Sequence, residues 1–417
     1  MKIHKLLVLL LALLLAVSLT SCAQPAPAQE APPLTFQTAP PGAGSGTESA
    51  PWQLSTPEHL AWMADPDYRE RLTGYFLLMN DITAPDNLVI AAPLDGIELD
   101  LIGAWWNSNI PRVFSGFQGK FDGNGHTITV NIYLPNQDFV GLFGHIGIDG
   151  RVLNLNVAGR VEALRLVGGL AGLNDGEVVN TSANVEVTGR SALGGLIGEN
   201  HHIVQSSYAS GNVSGRGSSG GLVGRNEWPR AEIIDSSASG NVESSGSSVG
   251  GLVGSNTFER KIINSRATGN VTGYSHVGGL AGFNEGVIQN SSSTGDVSGE
   301  HAVGGLVGVA GGLIIDSHAS GNVKGNRGAI GGLVGSSDGE VYNSYATGNV
   351  SGGWEVGGLI GIGSGSTVEN SRAAGDVSGE EDVGGLIGLN RGEVINSSAT
   401  GRVSGSGRFA YPANDGG

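Results

Sequence analysis

Between Leu142 and Leu386 the chain repeats GLxG ten times, usually inside a longer GGLxG, and successive Leu positions lie 26 to 30 residues apart. The units align on one polar position: Asn154, Asn180, Ser206, Asp235, Asn264, Asn290, Asp316, Asn343, Asn370 and Asn396. Two places before this anchor every unit carries Val or Ile, from Val152 to Val394; seven places after it every unit carries Val, from Val161 to Val403. β-Branched residues at fixed places, many glycines and no 3.6-residue period predict strands rather than helices. A period of this size means units that bury their apolar side only by stacking on one another.

Side-chain parity locates a bend. The apolar position at anchor minus two is even, whereas the small-residue position at plus three and the Val at plus seven are odd, so alternation slips by one just after the anchor. A slip in every unit predicts a corner, with stacked Asn or Asp and the following Ser or Thr bonding one another and the turning backbone. Gly at plus five and plus nine narrows the chain and starts the next bend, and the GGLxG run is expected to be a further strand, giving about three short strands per unit. The predicted fold is all-β, a right-handed parallel β-helix (β-solenoid) of about ten coils with a small mixed N-terminal cap. At about 4.8 Å per coil it makes a rod roughly 50 Å long.

The GGLVG, GGLIG and GGLAG runs followed by NSxATGxVxG, and the lead-in Phe121-Asp122-Gly123-Asn124-Gly125-His126, resemble the GLUG-repeat family over roughly Trp52 to Gly405. The resemblance implies a bacterial surface or secreted protein of adhesin-like type, since such repeats also stand beside the catalytic part of IgA-cleaving metallopeptidases. It implies display on a surface and no reaction of its own.

The N-terminal part sets the expected location. Lys2 and Lys5, an apolar stretch from Leu6 to Val17 and Leu19-Thr20-Ser21-Cys22 have the anatomy of a signal peptide, too short to span a bilayer. The ending resembles a bacterial lipobox, which implies lipidation of Cys22, the sole cysteine, and attachment to the cell envelope by acyl chains. The chain then divides into a signal peptide at 1–22, a flexible Pro/Ala/Gly-rich tether at 23–47, the cap at 48–113, the repeats at 114–405 and a tail at 406–417. In the cap, Ser55-Thr56-Pro57-Glu58 predicts a helix through roughly Arg71, and Tyr75 to Ile82 a strand. Trp105 and Trp106 also fall in the cap; Phe409, Tyr411 and Pro412 are candidates to cover the last strand edge.

Charge narrows the partners. Without Lys2 and Lys5 the chain keeps 20 basic against 38 acidic residues, near −18, which argues against nucleic acid. HExxH and a Walker sequence are absent, so neither a metal nor a cofactor is expected. Carboxylates at matching positions, such as Asp235 and Asp316, are three coils apart, too far for a glycosidase pair. Asp122 and His126 fit a tight turn.

One irregularity points to binding. The step from the GLxG Leu to the buried Val or Ile is eight in most units but eleven from Leu222 to Ile233 and ten from Leu252 to Ile262. These neighbouring insertions gather Glu227, Trp228, Arg230, Phe258, Glu259, Arg260 and Lys261, with His201 and His202 one coil earlier, where two surface imidazoles are expected. Aromatic rings with Arg make binding hot spots and sugar-stacking platforms; the competing reading is that Trp228 and Phe258 merely cover the coil edge. A second patch on the opposite loop row comprises Tyr274, His276, His301, Arg327 and Trp354. The expected function is non-catalytic binding of extracellular glycan or protein, with a carbohydrate-active enzyme on the same fold or a passive spacer as alternatives.

Overall fold

The computed structural model describes residues 36–92, 116–257 and 259–406. Cys22, Trp105, Trp106, Phe258, Phe409, Tyr411 and Pro412 lie outside them. Contacts divide the chain into Met1–Phe36 and Gln37–Gly417, and every described strand and helix belongs to the second unit.

All strand pairs within the coils are parallel, and the β-branched files stack in register one above another: Val178 pairs with Val204, and Val204 with Ile233. The chain winds as a right-handed parallel β-helix. One sheet has thirteen strands, ten of them supplied by the repeats; a second has ten, and the remaining short strands form the third side. Both predicted files face the core, with Val152 to Val368 and Val161 to Val377 essentially inaccessible. Each fully buried Val contributes about 1.5–3 kcal/mol. The files open only in the last described coil, where Val394 is 38 % exposed.

The anchor corner is where parity places it. All ten anchor residues, Asn154 to Asn396, adopt the left-handed region with φ between 47° and 52°. Asn and Asp tolerate this conformation better than other side-chain-bearing residues. Their amides link coil to coil, as from Asn180 to Asn154 at 2.7 Å and from Asn264 to Asp235 at 3.0 Å. The next residue forms a buried ladder: the N–H of Ser291 donates to Ser317 Oγ, and that of Ser317 to Ser344 Oγ, each at 3.1 Å.

The GGLxG run is not one strand. Ser191–Gly194 and Ile197–Asn200 belong to different sheets, and Gly195 and Leu196 turn between them. The backbones come so close here that a Cβ on Gly194 would collide with the Ile197 carbonyl. A second left-handed corner precedes the run, at Leu166, Ala192, Ser248, His276, Ala302, Ala329, Glu355 and Asp382.

The N-terminal segment is part of the winding. Strands Trp52–Leu54 and Tyr75–Leu78 extend the thirteen-stranded sheet, and Ile82–Thr83 joins the third side. The α-helix is shorter than expected, Pro57–Ala64, capped by Thr56. Asp65 is held extended before Pro66, as a pre-proline residue prefers, and the chain continues as a 3-10 helix to Thr73. Trp52, Trp62 and Phe76 close this end, with Trp52 at 5.2 Å from each of the other two rings. The expected tether is docked over its last residues: Ala39 donates to Glu58 O, and Gln53 to Ala43 O. At the DGNGH lead-in the turn reading holds. Asp122 accepts from the Asn124 N–H and the Asn154 amide, while His126 faces Asp81 at 3.4 Å.

Candidate functional site

The paired insertions leave the same corner of the ten-stranded sheet on adjacent coils. Directly beneath them runs a column of buried asparagines, Asn174, Asn200, Asn226, Asn256 and Asn284, each donating to the next at 2.7–2.8 Å. Their amides also hold the turns, from Asn200 to the His202 carbonyl and from Asn256 to that of Arg260. In sequence this column is simply the fourth residue after the GLxG Leu in five successive units, a signal that spacing alone could have flagged. The ten-residue step is not peculiar to the second insertion either: Leu142 to Val152 has it too, through a turn at 147–150.

Beside the asparagines lies an ion chain. His145 Nε2 meets Asp175 Oδ2 at 2.9 Å, Asp175 Oδ1 meets His201 Nδ1 at 2.7 Å, and His201 Nε2 meets Glu199 Oε1 at 2.8 Å. Glu199 Oε2 then faces Arg225 at 3.8 Å. Three consecutive turns supply Asp175, His201 and Glu227, while the adjoining strands supply His145, Glu199 and Arg225. His201 is only 7 % exposed, so it is not a surface imidazole as expected. It follows Asn200 at a bend, where its ring turns in between two carboxylates.

Burial by itself would favour the neutral imidazole, but the hydrogen bonds and charges of Asp175 and Glu199 outweigh it and push His201 up to about 9. Burial likewise opposes ionisation of Asp175, yet its two histidine partners hold it well below the usual carboxylate range. Glu227 is raised, by burial first and by the nearby Glu199 charge second. Both oxygens of Asp175 and both of Glu199 are engaged, so the chain joins four coils rather than presenting a free base. Among the described residues no group of three His, Cys, Asp or Glu is arranged to hold a metal, and no helix is long and apolar enough to cross a membrane.

Trp228 lies over this chain, with its ring 5.6 Å from that of His201. Its backbone is left-handed, φ 81°, an uncommon state for a bulky residue. Of its expected companions, Arg230 is exposed, Arg260 and His202 are half-buried, and Lys261 pairs with Glu232 at 2.8 Å. The insertion therefore covers a buried ion chain, and Trp228 spends one ring face on His201.

The second patch is more open. Tyr274, His301, Arg327 and Trp354 stand on four consecutive coils at one corner, and Tyr274 and Trp354 are 49 % and 43 % exposed. The Tyr274 and His301 rings meet edge to face at 6.3 Å, and Arg327 Nη1 lies 3.4 Å from His301 Nε2. The indole of Trp354 occupies space that a Cβ on Gly328 would fill. His276 turns away to Phe283, with ring centroids 6.3 Å apart. A shallow groove of ≈ 220 Å³ runs along this corner, lined by Thr272, Gly273, Ser298, Gly299, Glu300, Lys324 and Asn326. Inside it Glu300 accepts from the Asn326 amide at 2.7 Å and faces Arg327 at 3.6 Å.

Comparison with known proteins agrees with the repeat. None of the curated proteins matches the chain. Among solved structures it is similar to a candidate immunoglobulin A1 protease from Bacteroides ovatus, with 17 % identity over 86 % of each chain and a TM-score of 0.34. Six stretches, 215–243, 245–272, 273–298, 299–324, 326–351 and 379–404, match the family described as the GLUG motif. Six coils of the solenoid are thus copies of the GLUG motif.

Proposed function

We propose that this is an exported lipoprotein, acylated at Cys22 and held on the bacterial envelope, whose solenoid binds extracellular glycan without catalysing a reaction. The observation that carries the reading is the groove at 272–326, with the exposed rings of Tyr274 and Trp354 on the coils at and beyond its ends. Sugars combine apolar ring faces with many hydroxyls, and such a ligand calls for aromatic platforms beside short polar side chains such as Thr272, Ser298 and Asn326. A shallow channel lined by glycines and short polar side chains suits a polymer lying along the coils better than the deep anchor pockets typical of protein partners. The acidic surface, with 38 acidic against 22 basic residues, speaks against nucleic acid. Non-catalytic binding is favoured because Asp175 and Glu199, the carboxylates beneath Trp228, are committed to ion pairs.

The test is affinity electrophoresis of the full chain through gels containing a panel of neutral and acidic polysaccharides, with Tyr274→Ala/Trp354→Ala as the comparison. Retardation by a polymer that the double variant loses, with no sugar released, supports the reading. Released oligosaccharides would make the protein an enzyme; no retardation by any polymer would leave a spacer or a protein binder.

A further inference from the structure

The groove carries one charge that its own walls do not answer. Glu300 pairs with Arg327 and accepts from the Asn326 amide, whereas Lys324, which also lines the groove and is exposed, makes no ion pair among the described residues. Lys324 stacks in register on Ser298 and, through it, on Thr272, so its ammonium stands in the same outward file as the two hydroxyls. Arg327 follows three residues later on the same coil and also touches His301.

This local excess of positive charge sits on a protein whose overall formal charge is −16. The long-range field therefore repels anions, and an unpaired ammonium in the groove opposes that field only at short range. A ligand lying in the groove must take water from Lys324, which is unfavourable unless it brings a counter-charge. A neutral polymer would leave the ammonium uncompensated.

We infer that the groove selects an acidic glycan, one carrying a carboxylate or sulfate that Lys324 pairs with while Tyr274 and Trp354 take the sugar faces. This rests on the glycan-binding reading of the same groove and narrows it to a ligand class. Lys324 is then a specificity-determining residue, and the ligand's other hydroxyls fall to Thr272, Ser298 and Asn326.

The experiment compares polymers that differ only in charge: polygalacturonate against its fully methyl-esterified form, and chondroitin sulfate against desulfated, carboxyl-reduced chondroitin. The full chain and the Lys324→Met and Lys324→Arg variants are run against each, with circular dichroism to confirm an intact fold. The expected result is retention by at least one acidic form, weakened about tenfold or more by Lys324→Met, largely kept by Lys324→Arg, and absent or weaker with its uncharged twin. Equal retention by charged and uncharged twins would overturn the selection for acid while leaving glycan binding intact. Retention by neutral polymers alone would do the same. No retention by any polymer would overturn both.

Discussion

Trp228 rests on His201 with ring centroids 5.6 Å apart and 40° between their planes. His201 in turn bridges Asp175 and Glu199, so the aromatic ring shields an imidazole that is bonded through both nitrogens to carboxylates. Such an imidazole is doubly protonated at neutral pH, and the insertion carrying Trp228 covers it.

The pH dependence of stability follows from the two shifts. His201 is raised from 6.5 to about 9, so its contribution is complete below pH 6.5 and is lost as pH climbs through about 9. Asp175 is lowered from 3.8, so its contribution is present above that value and is lost as the solution becomes more acid. Thermal unfolding should show a plateau between roughly pH 4 and 6.5. The alkaline decline should flatten in His201→Gln, with a lower plateau; an identical alkaline slope in that variant would contradict the assignment.

Trp228→Ala should cost stability more than binding. Removing a half-buried indole from the ion chain should lower stability by about 2 kcal/mol, read as a shift in urea midpoint. Retention by a polymer that the groove binds should be unchanged. A variant that unfolds normally but no longer binds would return the site to the insertions.

The asparagine column predicts a larger loss. Asn226 accepts from Asn200 and donates to Asn256, both buried, so Asn226→Ala strands one donor and one acceptor. A cost of about 2–4 kcal/mol is expected. Stacked coils unfold as coupled neighbours, so hydrogen exchange should rise first in the coils on either side of Asn226.

Lipidation is tested directly in cells. Growth with a labelled fatty acid should mark the wild-type chain and not Cys22→Ala, and the variant should leave the membrane fraction. Label that persists in the variant would contradict acylation at this position.

Much of the fold was legible because repetition exposes weak signals. One Val at anchor minus two means little, but ten in register define a file, and a parity slip that recurs at Asn180, Asn264 and Asn343 can only be a corner. The second corner was hidden because its residue changes from Leu166 to His276 to Asp382, with no shared chemistry to betray a left-handed backbone. GGLxG read as a strand because glycine carries no parity; only the close approach at Gly194 shows the turn. The candidate site was harder still. The insertions were visible as spacing, yet the partners of His201 come from Asp175 and Glu199, whose roles depend on which way a turn points its side chains. Lys324 escaped notice because it is one residue in a file made mostly of Ser and Thr, and its meaning comes from Glu300 being already paired.

Groove, ion chain and asparagine column all depend on coils that stack one strand spacing apart. In the register of the third side, Glu243, Thr272, Ser298, Lys324, Ser351, Ser378 and Ser404 form one file. Spin labels at cysteines replacing Glu243 and Ser404, in a Cys22→Ala background, should lie about 29 Å apart by pulsed electron resonance, and moving the first label to Thr272 should shorten this by about 4.8 Å. A broad distribution, or a change that does not follow the strand spacing, would contradict the stacked solenoid and with it the groove.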